Sequence, residues 1–264
     1  YDGADFTVSG HGQDSGQPRV QAQCFAVAGD GALWVGTLQG LARLSGGART
    51  LWTRRDGLPD NVVNALAFTP DGALWIGTNA GLARLADRRF ATYGTAEGLP
   101  SAMINALAVD AEGRLWIGTS RGLACRLGDA VRIWRTEDGL PHETVRALAP
   151  GRDGALWIGT MAGLACLRDG VLRNHGVPAG LPGATLVSLL EDRQGVLWIG
   201  TEGAGLGRLW RGRCEAVRTG GSLEYIEDMR DEMVYSVRQG LAEIAKIQAL
   251  ALIVAVVLGP AALE

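Results

Sequence analysis

The chain has 264 residues, 47% of them hydrophobic, with 39 glycines and a net charge of −3. That composition supports a sizeable buried core, and no basic stripe runs through it, so nucleic acid is excluded as a partner. The charge is uneven: residues 1–219 are close to neutral, whereas 220–264 carry three cationic against seven acidic side chains.

Tyr1 opens the chain without an initiator methionine or a secretory signal, which reads as a processed or excised fragment. From there one phrase recurs: DGALWVGT at 30–37, DGALWIGT at 71–78, EGRLWIGT at 112–119, DGALWIGT at 153–160 and QGVLWIGT at 194–201. Its tryptophans, Trp34, Trp75, Trp116, Trp157 and Trp198, fall 41 residues apart. Gly-Leu-Pro keeps the same step at Gly57, Gly98, Gly139 and Gly180, with Gly16-Gln17-Pro18 as a weaker first copy. Two landmarks at one spacing define a repeat array over residues ~16–219.

One unit resolves into four short strands. Val63–Phe68 is an apolar run without helical period, Pro70-Asp71-Gly72 is turn chemistry, and Leu74–Thr78 is rich in aromatic and β-branched residues. Asn79-Ala80-Gly81 turns again before Leu82–Leu85, and Phe90–Tyr93 completes the set. Four antiparallel strands per unit make one blade of a β-propeller, so the expected fold is all-β with five four-stranded blades over 1–219. The small residues Ala65, Ala106 and Ala147 suit a crowded axis, and the tryptophans read as wedges between blades. His11 and His175 match Trp52, Tyr93 and Trp134, and read as aromatic substitutes in the outer strand. Cys24, Cys125, Cys166 and Cys214 have no metal spacing and read as small buried residues.

LWIGT, the GLA(R)L after it and the DGLP before each unit resemble the two-component regulator propeller repeat. The resemblance implies the extracytoplasmic sensor of a hybrid histidine kinase or diguanylate cyclase, binding a small molecule or glycan without catalysing a reaction. The family usually closes seven blades and five are counted here, so the array is expected to be a segment of a longer one. Phe6–Ser9 is either the last strand of a preceding unit or a strand closing the ring against 214–218; the first is favoured.

After Gly220-Gly221 the repeat stops. Ser222 is a good helix N-cap, and Leu223, Ile226, Met233, Val234, Val237, Leu241 and Ile244 recur at helical steps, predicting an amphipathic helix over 220–246. Residues 247–263 carry no charge, so 247–264 is expected to be a truncated transmembrane segment. The wording of 221–262 resembles a fragment of the PelG family of exopolysaccharide-export membrane proteins. These features imply a membrane partner through the C-terminal segment and a membrane-anchored, periplasmic propeller, although Arg230, Arg238 and Lys246 on the flank favour the cytoplasm.

Blade topology places the loops between the second and third strands, and those between blades, on one rim. Their skeleton repeats while their tips vary, which is what an asymmetric binding surface on a rigid frame requires, though drift gives the same pattern. Asn79, Arg121, His142, Glu143 and Glu202 are the candidate ligand-binding groups there. Asn64, Asn105 and Arg146 share one inner-strand position with Gln23 and are candidates for lining the channel, the alternative being hydrogen bonding to a neighbouring blade. Asp56, Glu97 and Asp138 suggest a carboxylate ring, with turn formation preferred. No nucleophile elbow, phosphate loop or metal-ligand spacing is present, so no catalytic residue, metal or cofactor is expected. The rival functions are a polysaccharide-export component with an interaction propeller, whose partner is a protein, and a propeller lyase or hydrolase centred on His142 and Glu143.

Overall fold

The computed structural model describes residues 22–128 and 130–217. Twenty strands form five separate four-stranded antiparallel meanders, each in simple sequence order. Blade 2 runs Val63–Phe68, Leu74–Thr78, Gly81–Ala86 and Arg89–Tyr93, and the others, spanning 22–52, 104–134, 145–176 and 186–217, follow the same plan. Consecutive blades touch through their inner strands from the first to the fifth. Within a blade, Trp75 pairs with Ala67 on one side and Arg84 on the other.

The core is divided among the four blade-to-blade interfaces. Between blades 2 and 3, Trp75 and Leu82 meet Leu99, Ile104, Leu115 and Ile117. Matching sets join blades 1 and 2 through Trp34, Leu58 and Ile76, and blades 3 and 4 through Trp116, Leu140 and Ile158. Trp34, Trp75 and Trp116 therefore wedge against the following blade, as the partly buried Trp157 does against blade 5, and the leucine of Gly-Leu-Pro plugs the same interface. Each plug is positioned by its glycine: Gly57, Gly98 and Gly139 sit at φ +111°, +90° and +109°, closing a one-turn 3-10 segment with a left-handed cap.

The glycine of LWIGT has a different cause. A Cβ on Gly77 would lie 2.6 Å from Cγ2 of Ile104, and one on Gly118 would lie 2.7 Å from Cγ1 of Val145. The next blade's inner strand occupies that space, so close approach rather than turn geometry demands glycine.

The expected fold class needs correction at its C-terminal end. The described residues contain strands and three one-turn 3-10 segments but no α-helix, so the amphipathic helix over 220–246 and the hydrophobic helix over 247–264 have no counterpart among them. Both spans, like Phe6–Ser9 and His11, lie outside the described residues. The membrane partner and the membrane-anchored location are corrected in the same way: among the described residues no helix is long and apolar enough to cross a membrane. Within the described residues the apolar runs are strands of five or six residues between turns. A helical span needs about 20.

Candidate functional site

The rim is built on five buried threonines. Oγ1 of Thr78 donates to the carbonyl of Gly81 at 2.7 Å and accepts from the N–H of Ala80 at 3.2 Å. Thr37, Thr119, Thr160 and Thr201 donate in the same way to Gly40, Gly122, Gly163 and Gly205 at 2.7–2.8 Å. A hydroxyl that both donates and accepts fixes the loop without using the side chains at its tip.

Backbone bonds then join the two families of loops. Asn79, Ser120, Met161 and Glu202 donate their N–H groups to Val62, Met103, Thr144 and Thr185 at 2.9–3.3 Å. The loops between strands and the loops between blades thus share one rim. In blade 3 the tie is closer: Gly122 N donates to the Glu143 carbonyl at 2.7 Å, and Thr144 Oγ1 donates to the Ser120 carbonyl at 3.2 Å. This brings the segment carrying Arg121 beside the segment carrying His142 and Glu143. Arg121 and Glu143 are exposed and His142 is half-buried. Nδ1 of His142 accepts from Thr144 N at 2.9 Å, so in the neutral ring Nε2 carries the hydrogen.

The remaining candidates fall into two further groups. Asn64 Nδ2 donates to Asn79 Oδ1 at 2.8 Å and to the Ile104 carbonyl of the next blade at 2.9 Å. Asn105 repeats the second bond, donating to the Val145 carbonyl at 2.9 Å. These two asparagines clip neighbouring blades together. Arg146 makes a long ion pair instead, its Nη1 lying 3.6 Å from Glu202 Oε2 on blade 5. Glu202 is exposed and Arg146 partly so, and at this separation the pair contributes little to stability and is easily opened.

The carboxylate ring is structural. Asp56, Glu97 and Asp138 accept the N–H groups of Thr53, Gly94 and Arg135 at 2.8, 2.6 and 2.8 Å, capping the 3-10 turns. The Thr53 N–H and then its hydroxyl hold the Asp56 carboxyl below its ordinary value. A set of acceptors missed in the sequence serves the tryptophans: Nε1 of Trp75, Trp116 and Trp198 donates to Thr69, Asp110 and Asp192 at 3.1, 2.6 and 2.8 Å. The signal was a polar residue six places before each tryptophan. Trp157 has Gly151 there and uses Glu191 of blade 5 at 2.9 Å, while Trp34 has Ala28 there and its buried Nε1 is unpaired.

All four cysteines are free thiols. Burial pushes the Cys24 thiol up to about 12, and its Sγ donates to the Val63 carbonyl. Among the described residues no group of three His, Cys, Asp or Glu could hold a metal ion.

Comparison with known proteins agrees with this architecture. The family described as "Two component regulator propeller" matches residues 57–80, 98–121, 139–162 and 180–203. PelG, "Putative exopolysaccharide Exporter (EPS-E)", matches residues 209–264. No curated protein matches the chain. Among solved structures, the chain is similar to the extracellular domains of two proteins from B. thetaiotaomicron, each described as a "putative hybrid two component system". One is 23% identical with a TM-score of 0.65 over 76% of this chain and 28% of that one. The other is 21% identical with a TM-score of 0.63 over 69% and 27%. The chain therefore spans about a quarter of the length of these relatives. Virginiamycin B lyase from Staphylococcus aureus is 17% identical with a TM-score of 0.63, over 76% of this chain and 70% of that one. Identities at this level establish the fold.

Proposed function

We propose that this chain, which carries two component regulator propeller repeats followed by a region matching the PelG export family, is the non-enzymatic ligand-binding module of a two-component signalling protein. It binds a small molecule or glycan on the threonine-built rim. The observation that supports this reading most is the tie between the Arg121 loop and the His142–Glu143 loop. It sets a guanidinium, a carboxylate and an imidazole on neighbouring segments of a fixed frame, three kinds of hydrogen-bonding group suited to orienting a polyhydroxylated ligand. Arg146 and Glu202 extend the surface across the next interface, where their long pair leaves both heads open to exchange for ligand groups. The likeness to extracellular domains of two-component systems supports the signalling context.

The test is a thermal-shift screen of the chain against oligosaccharides. A ligand that binds the native state raises the melting temperature by mass action, by an amount that grows with concentration. The expected result is a saturable shift lost in the Arg121→Ala and Glu143→Ala variants. A shift unaltered in both variants sinks the rim site. The C-terminal PelG match favours a second reading, an interaction propeller serving polysaccharide export. A panel in which no oligosaccharide shifts a cooperatively melting chain supports that protein-binding alternative.

A further inference from the structure

Away from the rim, a groove of about 650 Å³ lies between the outer parts of blades 4 and 5. That volume is within the range of small-molecule sites, about 300–1,000 Å³. Trp157, His175, Leu197, Leu209, Arg211 and Arg213 are among its walls.

Grooves of about 510 and 580 Å³ lie at the matching places between blades 2 and 3 and between blades 3 and 4, and two departures from the repeat set this one apart. Trp52, Tyr93 and Trp134 lie against Trp34, Trp75 and Trp116 with ring centroids 5.1–5.4 Å apart, and those three inner tryptophans are buried. Blade 4 has the smaller His175 there, 5.7 Å from Trp157, which is only half-buried. The second departure is Cys214, paired with Leu209 where Phe90 pairs with Leu85 and Leu172 with Leu167. Phe90 and Leu172 close the outer part of their interfaces, and a cysteine fills less of the same space.

The charge of the groove is also distinctive. Among the described residues neither Arg211 nor Arg213 lies within ion-pair distance of a carboxylate. Glu215, also on the wall, is already held by Arg208 at 3.0 Å. Arg173 adds a further positive charge beside His175. The indole N–H of Trp157 is used by Glu191, which leaves its ring face as the contact it can offer.

We infer that this groove binds a small organic anion, a carboxylate carried on a flat ring, with the carboxylate at Arg211 and Arg213 and the ring against Trp157 and His175. Guanidinium–carboxylate pairing is directional and short, and aromatic stacking adds to it, so neither a neutral ring nor a ringless anion satisfies both halves. The inference is independent of the rim, which contributes none of these side chains.

The experiment is a titration of the whole chain with sodium benzoate and, separately, benzyl alcohol, followed by the indole N–H resonances and assigned with Trp157→Phe. Benzoate should shift the Trp157 resonance saturably, and benzyl alcohol should bind at least tenfold more weakly. Arg211→Ala and Arg213→Ala should each weaken benzoate about tenfold. His175→Trp, which places there the residue of blades 1 and 3, should narrow the space beside Trp157 and weaken benzoate without lowering the melting temperature. Equal affinity for the two probes, insensitivity to both arginine variants, or no saturable shift with benzoate would each overturn the proposal.

Discussion

The interface between blades 2 and 3 and the interface between blades 4 and 5 are built from the same repeat and end up different. In the first, Trp75 is buried, its N–H is bound within its own blade by Thr69, and Asn64 clips the inner strand of blade 3. In the second, Trp157 is half-buried, its N–H is bound across the interface by Glu191, and Arg146 makes a long pair to Glu202 in place of the clip. The plug leucine follows suit, Leu99 being buried and Leu181 half-buried. A repeat fixes where an interface forms, while a few side chains decide how tightly it closes.

Removing the plug should separate the two interfaces most. Leu99→Ala leaves a cavity among Trp75, Ile104 and Leu115 and is expected to cost about 2–5 kcal/mol. Leu181→Ala should cost clearly less in the same urea titration, because less of that side chain leaves water on folding. Equal losses would mean the second interface is as tight as the first. A smaller loss, about 1–3 kcal/mol, is expected for Gly77→Ala, whose new methyl meets Ile104 and Ala65. The same change at Gly159 should be milder, since its nearest neighbours begin at 3.1 Å rather than 2.6 Å.

The sequence made the blade legible because its strands, turns and period are local properties. The wedge position of the tryptophans and the aromatic substitution at His175 could be read for the same reason, as residue types standing at fixed places in a period. What could not be read depends on the neighbouring blade. Asn64 and Asn105 stood as candidate channel groups with inter-blade bonding as the alternative, and the distances to Ile104 and Val145 show the clip. The glycine of LWIGT passed as strand sequence, though the next blade's inner strand is what requires it. Arg211 and Arg213 carry no repeat signature at all. Their significance comes from a groove that exists only once blades 4 and 5 are side by side.

Blade 1 gives a gain rather than a loss. Its Trp34 leaves Nε1 buried and unpaired because Ala28 stands where blade 2 has Thr69. Ala28→Thr should supply the acceptor and raise stability by about 1 kcal/mol, the ordinary net contribution of one such hydrogen bond. Equilibrium denaturation of the variant checks it, and no gain would show that the indole is not placed to use the hydroxyl.

The smallest effect concerns pH and returns to blade 4. Burial, and then the nearby Arg173, lower the His175 pKa from its ordinary 6.5. Protonation therefore favours the unfolded chain: the stability tied to neutral His175 is complete above about pH 6.5 and declines as pH falls from there toward the lowered folded value. The depressed carboxyls of Asp30, Asp56 and Asp71 act in a separate window, because their contribution is lost only as pH falls below their ordinary 3.8. Between pH 7.5 and 5.5 the melting temperature should thus fall more in the native chain than in His175→Trp, which has no proton to gain there. The corresponding aromatic change in a well-closed blade, Tyr93→Trp, removes no group that titrates in this window and should leave the slope as it is. Parallel slopes for the native chain and His175→Trp would show that the imidazole is as well solvated in the folded chain as in the unfolded one, and that the loose interface imposes no cost on its charge.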